Sequence, residues 1–107
     1  MSLDVSLEVL QPSAVYTANI THNLGKLAKE AGIYEALWRP DEIEVTKAHQ
    51  LTTHLKRGLR GLKNDPARFK AFNPPNGWED YDDLVQFVTN YLAACETYPD
   101  ADVSVSR

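Results

Sequence analysis

Leu3-Asp4-Val5-Ser6-Leu7-Glu8-Val9 alternates strictly: Leu3, Val5, Leu7 and Val9 fall on one side, Asp4, Ser6 and Glu8 on the other. A strand sends successive side chains to opposite faces, so this stretch predicts a strand with one face buried. The same period returns in Asp102-Val103-Ser104-Val105-Ser106. Gln11-Pro12-Ser13 breaks the first run with turn chemistry. Residues 15–20 then read as a second short strand, with Tyr16, Ala18 and Ile20 on one face. Two strands at the start and one at the end predict a small two- to three-stranded sheet formed by the N- and C-terminal strands.

The middle of the chain changes period. Leu24, Leu27, Ala28 and Ala31 recur at helical spacing behind Thr21, a side chain suited to capping a helix start. Gly32 follows, where a left-handed residue closes a helix. Residues 33–38 predict a short helical turn stopped by Pro40. Ala48, Leu51, Leu55, Leu59 and Leu62 form the apolar stripe of an amphipathic helix, with Thr46 as its expected cap. Gly58 and Gly61 interrupt it at about 1 kcal/mol each, unless they admit a close neighbour. Asp65-Pro66 is a cap followed by proline at the first helical position, opening a short helix through Phe69 and Phe72. The last helix is expected over residues 79–96. Its stripe is Tyr81, Leu84, Val85, Val88, Tyr91, Leu92 and Cys95, and its acids crowd the first turns, where the helix dipole favours them. The expected fold is a single mainly helical α+β domain over residues 1–107, with about four helices packed on the sheet.

Charge narrows the function classes. The 107 residues carry a net charge of −4, which argues against nonspecific nucleic-acid binding over the whole surface. Residues 47–70 hold seven bases and one acid, +6, whereas residues 71–107 hold seven acids and one base, −6. This asymmetry predicts packing of one segment on the other, or contact between copies through the basic helix 47–63 and the acidic helix 79–96. The basic helix lacks aromatic residues for base stacking, so nucleic acid is not an expected partner. No apolar run approaches the roughly 18–20 residues of a membrane span, so no membrane partner is expected. The start lacks the basic and apolar regions of a secretory signal. A single cysteine, Cys95, cannot form an internal disulfide, and the expected compartment is the reducing cytoplasm.

Asn19-Ile20-Thr21-His22-Asn23 stands where the second strand hands over to a helix. Helix starts display unsatisfied backbone N–H groups. A plain capped start accounts for Thr21 and for amides that satisfy a turn. The richer reading gathers Asn19, Thr21, His22 and Asn23 into a polar pocket, since these side chains exceed what a cap requires. Trp38-Arg39-Pro40 adds an indole and a guanidinium. Trp38 also suits the core, and Arg39 also suits an ion pair with Asp41 or Glu42. Asn73-Pro74-Pro75-Asn76-Gly77-Trp78 adds Asn73, Asn76 and Trp78, either as a ligand rim or as a rigid connector.

No enzyme signature accompanies these groups. His22, His49 and His54 are the three histidines; His49 and His54, five apart, fall on different helix faces. There is no His-Glu-x-x-His pair, no Gly-x-Ser-x-Gly elbow and no phosphate loop; Gly58-Leu59-Arg60-Gly61-Leu62-Lys63 lacks the spacing and lies in a helix. Cys95 sits on an apolar stripe as a core thiol. No cofactor or metal is therefore expected.

Asn19-Ile20-Thr21-His22-Asn23-Leu24, Gly32-Ile33-Tyr34, Leu37-Trp38-Arg39-Pro40 and Phe72-Asn73-Pro74-Pro75-Asn76-Gly77-Trp78 together resemble a group of small uncharacterised bacterial and phage-related proteins, over about residues 15–107. That group has no established activity, so the resemblance supplies no catalytic residue. It implies that the polar-aromatic segments belong to one recurring design. The leading expectation is a small non-enzymatic binding or interaction module. Its pocket, at helix ends, would gather Asn19, Thr21, His22, Asn23, Trp38, Arg39, Asn73, Asn76 and Trp78 around a small polar or anionic ligand. The alternatives are a small hydrolase or transferase, with His22 as general base and Arg39 holding an anion, and a self-associating structural subunit.

Overall fold

A computed structural model describes residues 2–10, 13–74 and 79–107. The chain runs β1 (Ser2–Leu10), β2 (Ser13–Thr21), a 3-10 turn at His22–Leu24, α1 (Gly25–Glu30), α2 (Tyr34–Trp38), a 3-10 turn at Pro40–Ile43, α3 (Ala48–Asn64), α4 (Pro66–Lys70), α5 (Tyr81–Thr97) and β3 (Asp102–Ser106). It is an α+β fold with one three-stranded antiparallel sheet in the order β2-β1-β3. The described residues include five α-helices rather than about four, because the chain between β2 and α3 divides into short pieces.

The alternation of β1 sets the sheet's two faces. Leu3, Val5 and Leu7 are fully buried, and Ile20 joins them from β2. Asp4 lies between Asn19 and Ser106, and Ser6 between Thr17 and Ser104, so the opposite face is lined with small polar groups. β2 starts at Ser13, two residues earlier than the alternation suggests. Its register against β1 slips between Leu7 and Glu8 and again before Leu10, leaving a bulge near Val15. β1 is central because β3 returns from the far end of the chain, pairing Val5 with Val105.

The helices close the core. Gly32 has φ +77°, the left-handed backbone expected of a residue ending a helix. α3 and α5 pack on each other and are joined by an ion pair, Lys56 Nζ to Glu96 Oε2 at 3.4 Å. The Tyr81 hydroxyl donates to the Leu62 carbonyl at 2.6 Å across the same seam. Basic and acidic segments thus meet within one chain. Gly58 is buried against Ile33, where a Cβ would fall 1.9 Å from Cγ2; Gly61 faces open space. The two glycines of one helix therefore have different reasons to be there.

Capping differs in detail from the sequence pattern. Thr46 is not the side-chain cap of α3; Gln50 reaches back so that its Oε1 accepts the Thr46 and Lys47 N–H groups at 2.8 and 3.0 Å. Asp65 caps α4 as expected, accepting the Arg68 N–H at 3.4 Å. α4 ends at Lys70, so Phe72 lies beyond it. At α5 the acids form a reciprocal box: Asp80 accepts from the N–H groups of Asp82 and Asp83, and Asp83 accepts the Asp80 N–H at 2.9 Å. Cys95 is fully buried on the α5 stripe, and Phe87 and Ala94 add to that stripe. Among the described residues no helix is long and apolar enough to cross a membrane.

Candidate functional site

The handover from β2 to the first helical turn is built by Thr21. Its backbone is extended and its hydroxyl accepts the Asn23 N–H at 3.3 Å, satisfying one donor of the turn. Its own N–H donates to Glu79 Oε1 at 2.6 Å, a contact spanning 58 residues. That bond brings the chain just before α5 to the end of β2. Asn73 fixes the other side: its Oδ1 accepts the Tyr81 N–H at 2.9 Å. An oxygen committed in this way leaves the Asn73 amide NH2 as the group it can offer a ligand.

These anchors frame a hollow of about 310 Å³ lined by Asn23, Lys26, Ala71, Phe72, Asn73 and Pro74. Its size is at the lower end of small-molecule sites. Asn23 contributes an exposed carboxamide that can both donate and accept, and Lys26 an ammonium. Phe72 is 37 % exposed, one of the few large apolar side chains left in solvent. An ammonium, two carboxamides and an accessible ring can hold a small polar or anionic molecule by directed hydrogen bonds, charge and ring contact.

His22 and Trp38 meet elsewhere. Their ring centroids lie 6.2 Å apart, edge to face at 61°. Trp38 is 3 % exposed and stacks on Tyr34 at 5.3 Å and 8°, with Lys29 Nζ 4.7 Å from the Tyr34 centroid. The indole is thus core. His22 Nε2 is buried without a hydrogen-bond partner. Arg39 pairs with Glu42 at 3.5 Å, while Asp41 faces Arg107 at 3.9 Å. The Tyr34 hydroxyl first, and Glu42 and Asp41 after it, push the Arg39 guanidinium above its ordinary pKa, so it stays cationic.

Asn19 lies on the open face of the sheet. It lines a hollow of about 580 Å³ together with Asp4, Ser6, Thr17, Ser104 and Ser106. Of the nine residues singled out in the sequence, Asn23 and Asn73 share one hollow, His22 and Trp38 share a ring contact, and Thr21 braces the handover. Arg39 and Asn19 sit in surroundings of their own. Asn76 and Trp78 lie outside the described residues. Lys26 and Glu79 escaped the sequence reading, because each matters through a contact with a distant segment and no local pattern marks it. Among the described residues no group of three or more His, Cys, Asp or Glu side chains could hold a metal ion. No protein-family model matches the chain, and no curated protein or solved structure is significantly similar to it.

Proposed function

We infer that the protein is a small cytoplasmic binding module, not an enzyme, and that it takes a small polar or anionic ligand in the hollow between Asn23, Lys26 and Asn73. One observation carries this reading: Asn23 and Asn73, fifty residues apart, face one hollow with an ammonium and an exposed ring. The buried Trp38, with Tyr34 and His22 against it, forms the wall behind the handover rather than a contact surface.

The hydrolase or transferase alternative has less behind it. Among the described residues no carboxylate or hydroxyl bonds the His22 ring, and Arg39 is engaged by Glu42. A general base acts from within hydrogen-bond reach of the proton it takes, and the His22 Nε2 is buried. Self-association through the basic and acidic helices also has less behind it, because α3 and α5 already pack on each other.

Thermal unfolding against a panel of nucleotides, sugars, carboxylates and phosphate tests the reading, since binding to the native state raises the melting point by mass action. Lys26→Ala and Asn23→Ala should abolish the shift that an active compound causes in the wild type. A panel with no response, or a response unchanged in both variants, would refute the site.

A further inference from the structure

We propose that the free edge of β2 pairs antiparallel with β2 of a second copy of this chain, joining two sheets into one of six strands. The two edges of the sheet are treated differently. β3 is guarded: Val103 N–H donates to the Thr46 carbonyl at 2.9 Å, Lys47 bridges to Asp102 and forms an ion pair with it, and Arg107 donates to the Trp38 carbonyl at 3.1 Å. Among the described residues β2 has no such cover from Tyr16 to Ile20; at Thr21 the Glu79 carboxylate takes the outward N–H. From Ser13 to Thr21 it holds no charged residue and no proline, the devices that usually blunt an edge. Its bulge lies toward the hairpin, leaving Tyr16 to Thr21 regular.

The direction of the free groups follows from one bond. Thr21 N–H reaches Glu79 and therefore points away from β1. Alternation along an antiparallel strand sends the N–H and C=O of Asn19 and Thr17 the same way. Among the described residues those outward groups have no partner. A two-fold axis at Ala18 sets Thr17 opposite Asn19 of the second copy and Asn19 opposite its Thr17. Each pair exchanges two backbone hydrogen bonds, four in all. The hydroxyl and carboxamide side chains of Thr17 and Asn19 also meet across the strands on the open face. An alanine, the smallest side-chain type in the strand, falls on the axis, where opposed strands approach most closely.

The self-complementary register fits a second copy as the occupant, and local charge does not oppose it. The chain is −4, yet the pairing strand is neutral. The acids nearest the seam are Asp4 of β1, about three strand spacings, roughly 14 Å, from its mate, and Glu79 at the Thr21 end, about six residues along the strand, roughly 20 Å, from its own. Both distances exceed the screening length of about 8 Å at physiological salt. A ladder of four bonds is short against a standard interface, so the dimer forms in the upper micromolar range rather than at trace concentration.

Sedimentation of the full chain from about 10 µM to 1 mM, at low and at high salt, tests this. The wild type should shift from monomer toward dimer in both salts. Thr17→Pro removes an outward N–H that the native ladder does not use, and Thr17→Lys places a charge on the edge. Either should leave a folded monomer by circular dichroism. A wild type monomeric throughout, a dimer that survives a folded Thr17 variant, or a dimer dissolved by salt would overturn the proposal.

Discussion

Gly58→Ala isolates the closest approach in the fold. A Cβ at this position would fall 1.9 Å from Ile33 Cγ2 and 3.2 Å from Ile33 Cβ. Ile33 is 1 % exposed, at the join between α1 and α2, so it cannot swing into solvent. Either α3 moves outward or Ile33 leaves its rotamer. Overpacking of this kind costs about 1–3 kcal/mol, and more when backbone must shift. The helix gains at most about 1 kcal/mol from replacing glycine. With the full helix gain the net expectation is a loss of up to about 2 kcal/mol, or a melting point lower by about 4–8 °C for each kcal/mol. Gly61→Ala is the internal control: nothing lies within 4 Å of its added Cβ, so only the helix gain of up to about 1 kcal/mol remains. Urea unfolding of Gly58→Ala, Ile33→Ala and the double variant completes a cycle. Removing Cγ2 should recover most of the steric cost, giving a favourable coupling of about 1 kcal/mol or more. Stabilisation by Gly58→Ala equal to that by Gly61→Ala, or a cycle with no coupling, would show that Ile33 does not crowd α3 at Gly58.

Two further expectations concern buried groups on α5. The Tyr91 hydroxyl is buried without a partner while its ring stacks on Tyr16 at 6.0 Å; Tyr91→Phe keeps the ring, removes an orphaned polar group, and should raise stability by about 1 kcal/mol in urea titrations, whereas a loss would reveal a hidden partner. Burial, helped by the neighbouring Glu96 charge, pushes the Cys95 thiol up from 9.0 to about 12; stability tied to it is therefore full below pH 9 and is lost as pH rises from 9 toward 12. Unfolding free energies at pH 8 and pH 10 should fall by about 1.4 kcal/mol more in the wild type than in Cys95→Ala, and equal slopes would contradict the burial of the thiol.

The elements that depend on their own neighbours in sequence were legible there. β1 and β3 show a strict period of two; Gly32 and Asp65-Pro66 punctuate helices by their own backbone preferences. Elements whose geometry is settled by distant residues were not. The helix expected behind Thr21 opens with a 3-10 turn, and Thr21 is also held by Glu79. Thr46 has the composition of a cap, yet Gln50 supplies the acceptor. The acids at the start of α5 suggested a response to the helix dipole, and the folded chain uses Asp80 and Asp83 as a hydrogen-bonded box. The candidate site was half legible for the same reason. Asn23 and Asn73 stand out as amides in polar turns, but Lys26 looks like any surface lysine until α1 meets the segment after α4.

The central place of β1 has a consequence for how the chain reaches this state. Strand β1 can complete its second ladder only when residues 102–106 arrive, so Val5 waits for Val105 across nearly the whole sequence. Bringing such remote segments together precedes the reward of pairing them, which slows folding relative to a helical bundle of equal size. A nascent chain still lacking those residues would hold a hairpin with a bare middle strand, a period when chaperone protection would count most.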